Sequence, residues 1–599
     1  MIKKFFKNRF HYSSHKIKKA PAAADRLKVL CAIFFIVGGI IIMRLAYVQV
    51  WQHNFYAALA SQNHDLYKDL FPNRGEIYVR DPLSAESTYK IAANQDLAVV
   101  YANPWLIENS EQAVKDLAPL LGMSQDELNK KLEPKMLDND RKDTYEVLKR
   151  RVSDYEKKAI EDLKIEGVDF TSEAWRYYPN AEYTAHLTGF LGVKDDARVG
   201  QYGLEGYFED ELKGTPGYLL SEKDASGRFL AIGDKITEEA QDGDDLYLTI
   251  DKNIQFYACD KLQQAVEKHG AKQGTVIIMQ PTTGAILALC NFPSFDPNNY
   301  SDVESVSVFM DSAVSDQYES GSVFKSFSLG AAIDMGKITP YSTYEDKGYV
   351  KIANYTIRNS DTAEKGAHGV VDMKYVLAKS LNTGSIYAVQ QIGNEAWYQY
   401  VKNLGFGEET GIELAGENSG NISSLEQLKD IYSATSSYGQ GITVTPIQLI
   451  TAYNTLANGG KLMKPYIIAE KVKANGYKEV TEPTVVRQVF SQQTASTISA
   501  MLVNVVDNGH SYMAAIPGYY IGGKTGTAQI ALEDGSGYSG SRHKDTFVGY
   551  APISNPQFIM LVKMDEPQDV SWAEGSVAPI WHDIAEYILD YYQIPPDRE

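Results

Sequence analysis

Cysteine is nearly absent from this chain: three occur in 599 residues, at Cys31, Cys259 and Cys290. That excludes a disulfide-built scaffold and a cysteine-rich metal knot. The ten histidines show no metal-ligand spacing, so neither a metal nor an organic cofactor is expected. No Gly-x-Ser-x-Gly elbow occurs, and no histidine neighbours a glycine-flanked serine, which sets aside the Ser-His-Asp hydrolases. Positive charge is in deficit, with 58 Lys and Arg against 77 Asp and Glu and a formal charge of -19. Such a balance argues against nucleic acid as a partner. Internal repeats and low-complexity tails are missing, and so are long apolar runs, with one exception.

The exception lies near the start. Basic residues from Lys3 to Lys28 precede an uncharged apolar run over residues 29–43, and residues 45–48 extend it beyond Arg44. A stretch of about 20 residues is enough to cross a bilayer, with Arg44 reaching the interface. The expectation is a cytoplasmic basic tail (1–28), a single transmembrane anchor (29–48) and an extracytoplasmic remainder in a cell membrane. Ala58-Leu59-Ala60 reads like a cleavage site but lies behind polar Gln52, His53 and Asn54, so the anchor is expected to stay uncleaved. Ten Lys and Arg and one Asp fall within the first 48 residues, leaving a formal charge of -28 on the rest. Cys259 and Cys290 could pair in an oxidising compartment or remain buried thiols; the sequence leaves both open.

Residues 49–243 alternate strand-like stretches such as 97–101 with helical patterns such as 124–131, and predict an elongated α+β module. The Gly/Asp-rich stretch Gln241-Asp242-Gly243-Asp244-Asp245 marks a boundary. Beyond it, over 244–599, Asp251 opens a helix to about residue 268, with Ile254, Ala258, Leu262 and Val266 on one face. A hairpin follows at 275–279 and 285–289. Strands are expected at 519–530, 546–551 and 558–564, with a Gly/Ser-rich connector at 533–540 and a last helix at 578–591. Strands at both ends around a helical middle predict an antiparallel sheet covered by helices, so the whole is a multidomain α+β or α/β chain.

Three short segments carry chemistry. Gly321 precedes Ser322-Val323-Phe324-Lys325, and Gly336 and Pro340 close the segment, which puts Ser322 at the start of a buried apolar helix. Lys325 returns to the same face three residues on. A serine needs a base to take its proton, and a desolvated lysine can serve. Ser380-Leu381-Asn382 follows a helical stretch at a turn, where a hydroxyl could relay a proton and an amide could hold a carbonyl. Lys524-Thr525-Gly526-Thr527 continues a strand after Gly522 and Gly523. There Lys524, Thr525 and Thr527 could hold a carboxylate, the N–H groups of Thr527 and Ser322 an oxyanion, and Gly526 would admit a peptide as an added strand. Taken singly, each has a plain structural reading: a capping serine, a turn asparagine, a lysine-blunted edge strand. All three in this order make a serine acyltransferase.

The ordered set S-x-x-K, S-x-N and K-T-G is the established signature of penicillin-binding proteins and β-lactamases, and this chain matches it member by member. The chain resembles the class B penicillin-binding proteins, monofunctional peptidoglycan D,D-transpeptidases, over nearly everything after residue 40. Arg74-Gly75-Glu76-Ile77, Arg176-Tyr177-Tyr178-Pro179 and residues 200–205 look like that family's membrane-proximal pedestal, or dimerisation-type, motifs. Phe295-Asp296-Pro297-Asn298, Tyr438-Gly439-Gln440-Gly441 and Phe547-Val548-Gly549-Tyr550 match further family positions. Two departures are Ser320, where the family usually has proline, and Val323-Phe324 in place of a threonine-containing pair.

The resemblance implies that Lys325 activates Ser322, which attacks the penultimate D-alanine carbonyl of a stem peptide ending in D-Ala-D-Ala. Ser380 shuttles the proton, Asn382 places the acyl chain, and Lys524, Thr525 and Thr527 hold the terminal carboxylate. It also implies β-lactams as inhibitors and a membrane glycan polymerase of the SEDS type, with division proteins, as partners. Residues 575–579 and 594–596 look more like the division-specific branch than the elongation branch. A D,D-carboxypeptidase, a β-lactamase and a non-enzymatic penicillin sensor or scaffold are the competing readings.

Overall fold

The computed structural model describes residues 36–44, 47, 65–84, 87–136, 142–194, 197–222, 235–532 and 537–598. The expected membrane span at 29–48 lies mostly outside these residues. Residues 36–44 are helical, and the Arg44 guanidinium lies 5.5 Å from the centre of the Tyr47 ring. Among the described residues no helix is long and apolar enough to cross a membrane.

Two compact units divide the chain. In the smaller, Asp65–Leu70, Gly217–Glu222 and Lys235–Glu238 form a three-stranded antiparallel sheet with Gly217–Glu222 in the middle. The larger holds residues 72–215 and 241–599. Its seven-stranded sheet is assembled from distant parts of the sequence: Asp245–Asp251 runs parallel to Ile77–Arg80 and antiparallel to Ile468–Val472. Thr88–Ala102 then carries both Glu146–Val152 and Val168–Tyr177.

The three pedestal motifs meet at one carboxylate. Glu205 has no solvent exposure; its oxygens accept 2.6 Å hydrogen bonds from Arg74 Nε and Arg176 Nε, and one at 3.2 Å from the Tyr178 hydroxyl. Arg74 also binds Glu209 at 2.7 Å. Gly200 is required there, because a Cβ would fall 1.9 Å from the Glu205 carbonyl oxygen. Asn298, from the Phe295–Asn298 motif, exchanges two hydrogen bonds of 3.0 Å with the Tyr178 backbone.

A second sheet carries the segments that the sequence singles out for chemistry. Helix α1 (Lys252–His269) is capped by the Asp251 carboxylate and ends on Gly270. It leads into β1 (Gln273–Met279) and β2 (Ile286–Phe292); Cys259 on α1 and Cys290 on β2 are joined in a disulfide. Then come α2 (Lys325–Asp334), the hairpin β3 (Tyr349–Ile352) and β4 (Tyr355–Arg358), α3 (Asn382–Ile392), α4 (Pro446–Ala457) and α5 (Gln492–Asn508). Strands β5 (Gly522–Ala531), β6 (Tyr538–Ala551) and β7 (Phe558–Asp565) and helix α6 (Ala573–Tyr591) complete it.

The sheet order is β2-β1-β7-β6-β5, antiparallel throughout, with β5 at the edge. Alternation sorts its side chains. Val276, Ile278, Met560 and Val562 face α1 and α6, whereas Ile277, Met279, Ile559 and Leu561 face the helices α2, α4 and α5. Both faces are covered, so β7 is buried at every position. Two boundaries differ from the sequence reading. Strand β6 begins at Tyr538, inside the expected connector, and α6 begins at Ala573, not 578. Pro579 suggests a helix start, yet α6 runs through it, and the Ala573 N–H is satisfied by the Thr527 hydroxyl at 3.0 Å.

Candidate active site

Gly321–Phe324 forms one 3-10 turn before α2. Gly321 adopts φ +63°, and its N–H donates to the Gly439 carbonyl at 3.1 Å. Gly439 has room for nothing larger, since a Cβ would lie 2.2 Å from the Gly321 oxygen. The apolar residues of this turn, Val323 and Phe324, are buried, while Ser322 stays partly accessible.

Lys325 is 1% exposed, and its ammonium nitrogen lies 3.0 Å from Ser322 Oγ and 3.1 Å from Ser380 Oγ. It also donates to the Ser380 carbonyl. Ser380 sits in the left-handed region at φ +58°, a strained place for a serine that turns the chain between the helix Met373–Ala378 and α3. Among the described residues no carboxylate lies within ion-pair distance of Lys325. Burial, and then the nearby charge of Lys524, hold its pKa well below the usual lysine range, with Asp361 opposing.

Lys524 on β5 is 1% exposed and donates to the Thr525 carbonyl at 2.9 Å. Burial pushes its pKa down to about 7, with Glu574 opposing. The Thr525 N–H is held by the Ser511 hydroxyl at 3.2 Å, and its own hydroxyl donates to the His510 carbonyl. The Thr527 hydroxyl takes the Ala573 N–H described above. Gly526 is needed for a different neighbour from the expected peptide: a Cβ would fall 2.6 Å from the Ser320 oxygen, so the glycine lets β5 close on the serine turn. Gly522 and Gly523 likewise make room for Ile553 and Phe547. Asn382 begins α3, and its amide donates to the Arg358 carbonyl at 2.8 Å.

The fold thus brings Ser322, Lys325 and Ser380 into contact and sets the Lys524–Thr527 strand beside them. Several supporting residues escaped the sequence reading. Asp316, six residues before Ser322, meets Lys544 at 3.0 Å and Lys563 at 2.7 Å, and both lysines also bind Asp565. Tyr318 pairs with Val444 through two backbone hydrogen bonds, and Glu319 accepts from the Gly441 N–H at 2.8 Å and the Tyr538 hydroxyl at 3.1 Å. The approach to Ser322 is therefore pinned at four points between Asp316 and Gly321. One signal was readable: Lys563 interrupts an otherwise apolar strand and must have a buried partner.

Comparison with known proteins agrees with this geometry. The penicillin-binding protein transpeptidase domain family matches residues 274–586, and the penicillin-binding protein dimerisation domain family matches 69–248. The chain belongs to the class B penicillin-binding proteins. Stage V sporulation protein D of Bacillus subtilis (strain 168) is 32% identical, over 96% of this chain and 87% of its own. A probable peptidoglycan D,D-transpeptidase, PbpC, of Pseudomonas aeruginosa is also 32% identical, over 95% and 96%.

Two solved structures share the fold. Penicillin-binding protein 3 of Mycobacterium tuberculosis, crystallised with aztreonam, has a TM-score of 0.67 at 24% identity, covering 88% of this chain and 98% of its own. Penicillin-binding protein 2X of Streptococcus thermophilus has a TM-score of 0.73 at 23% identity, covering 88% and 80%. With family membership established, this penicillin-binding protein is a serine-type D,D-transpeptidase.

Proposed function

We propose that this penicillin-binding protein cross-links peptidoglycan through an acyl-enzyme on Ser322. The observation that carries the reading is the short contact of a buried, uncompensated amine, Lys325, with two hydroxyls, Ser322 and Ser380. Lys325 as the neutral amine takes the Ser322 proton while Oγ attacks the penultimate D-alanine carbonyl. The N–H groups of Ser322 and Thr527 receive the oxyanion. Ser380 passes the proton to the departing D-alanine amine, and Asn382 steadies the acyl chain. Lys524, Thr525 and Thr527 hold the terminal carboxylate, and Gly526 keeps the edge strand close to the nucleophile. An amine from a second stem peptide then takes the acyl group and frees Ser322.

A β-lactam would enter the same site and remain on the serine; the aztreonam complex of the Mycobacterium tuberculosis relative supports this. Intact mass after incubation with a fluorescent penicillin tests the reading. One adduct is expected on the native protein and none on Ser322→Ala; an undiminished adduct on that variant sinks it.

The basic tail (1–28) and apolar run (29–48) support a single-pass anchor with the catalytic unit outside. The pedestal is assigned to 49–243 and the transpeptidase domain to 244–599, with a SEDS-type glycan polymerase and division proteins as partners. The C-terminal segments 575–579 and 594–596, which look like the division-specific branch, favour a septal role. The likeness to a sporulation protein supports a second setting, sporulation. Imaging the penicillin-labelled protein in dividing cells separates septal from lateral-wall placement.

A further inference from the structure

The hairpin β3–β4 has two faces of opposite character. Val350, Ile352 and Ile357 point inward and join Ile386 of α3 with Ala434 and Tyr438. By strand alternation and register, with Tyr349 opposite Arg358 and Lys351 opposite Thr356, those four side chains share the outer face. All four are exposed, Tyr349 at 42%, and the Arg358 guanidinium lies 5.8 Å from the centre of the Tyr349 ring.

The surrounding cations are spent on local partners: Lys347 on Glu345 at 3.4 Å, Lys365 on Asp361 at 3.5 Å and Lys374 on Asp372 at 3.9 Å. Among the described residues Lys351 and Arg358 have no ion-pair partner. They form an uncompensated double positive charge on a chain whose formal charge is -19.

The hairpin that carries this face belongs to the surroundings of the cleft. The Arg358 carbonyl holds the Asn382 amide, Ile386 lies one turn further along α3, and Tyr438 precedes the Gly439 that holds Gly321. We infer that the outer face of the β3–β4 hairpin, Tyr349, Lys351, Thr356 and Arg358, is a docking platform for the carboxylate-bearing stem peptides of a neighbouring glycan strand. The two cations recognise carboxylates, and Tyr349 offers a ring surface against the sugar or peptide backbone. An anionic polymer is repelled by most of an acidic surface, so a local cationic platform sets where and in what orientation it lands. The inference rests on the transpeptidase reading and adds to it a site for polymer outside the catalytic cleft.

The test uses the full-length protein in detergent with two probes, polymeric uncross-linked glycan strands bearing stem pentapeptides and a soluble fluorescent penicillin. Lys351→Glu is expected to raise KM for the strands about tenfold at low salt, with kcat and penicillin acylation each within about twofold of native. Thr356→Lys, opposite Lys351 on the same face, is expected to lower KM about threefold, a gain that a misfolded variant cannot give. Amidating the other stem carboxylates while leaving the terminal one free should erase both differences. The platform is refuted if both variants bind strands like the native protein or if their differences persist on amidated strands. A shift in affinity for anionic phospholipid vesicles instead of strands refutes it equally. A native protein that forms no penicillin adduct would sink the transpeptidase reading alone, and strand binding measured by co-sedimentation would still decide the platform.

Discussion

Two buried charge clusters in this molecule use the same expensive ingredient for opposite ends. At the pedestal, Glu205 is fully enclosed; burial drives its carboxyl upward, but Arg176 and Arg74 outweigh that and hold it below the ordinary carboxylate range. With Glu209 the cluster has two cations and two anions, and every motif of the pedestal is tied to it. In the cleft, Lys325 and Lys524 are as deeply buried but face hydroxyls and carbonyls, so burial is left uncompensated and both amines lose proton affinity. A buried charge with full partners becomes scaffold; one without them is left with lowered proton affinity.

Substitution should collapse that contrast, with the largest effect expected in the cleft. Lys325→Ala should slow penicillin acylation about 10²- to 10⁴-fold, the range for a lost general base, with a melting curve close to native. Stopped-flow labelling reads the rate, and a loss under about tenfold would remove Lys325 from the proton path. Glu205→Gln should do the reverse. Stranding the buried Arg176 guanidinium, and leaving Arg74 with Glu209 alone, costs about 3–5 kcal/mol of stability, visible as a lower melting temperature, while acylation per folded molecule stays near native.

The Asp316–Lys544–Lys563–Asp565 group is an intermediate case, because it is a paired cluster that anchors the start of the Asp316–Gly321 approach to Ser322. Lys563→Met should therefore show both signatures, roughly 3 kcal/mol of stability and about a tenfold slower acylation as the Asp316–Gly321 approach loosens. Unchanged acylation would class it with the pedestal.

The smallest effect concerns pH. Acylation needs neutral Lys325, so its rate should fall as pH drops through that lowered pKa. Asp361 favours the charged amine, so Asp361→Asn should move this acid limb to lower pH; a shift to higher pH, or none, would show that Asp361 does not reach the base.

The parts of the candidate site were legible because each polar group sits in a short contiguous segment whose local pattern is fixed. Ser322 and Lys325 share a helical turn, and Lys524 to Thr527 lie along one strand. Gly526 shows where legibility ended. Its need for a missing side chain was readable, but the neighbour that imposes it, the Ser320 carbonyl, lies about two hundred residues earlier in the chain. The α6 boundary was missed for a related reason: the cap for Ala573 comes from Thr527 on another strand, so the local proline signal lost to a tertiary hydrogen bond. Cys259 and Cys290 could be named but not paired, since pairing depends on α1 packing against β2.

Sequence by itself settled which atoms are available for chemistry, the order of the motifs, the amphipathic α1 and the apolar strands of the sheet, because these follow from side-chain type and short-range periodicity. Tertiary structure alone decided which charges are paired. Ion pairing and desolvation depend on distances between residues far apart in the chain, and those distances make Glu205 a keystone and lower the proton affinity of Lys325.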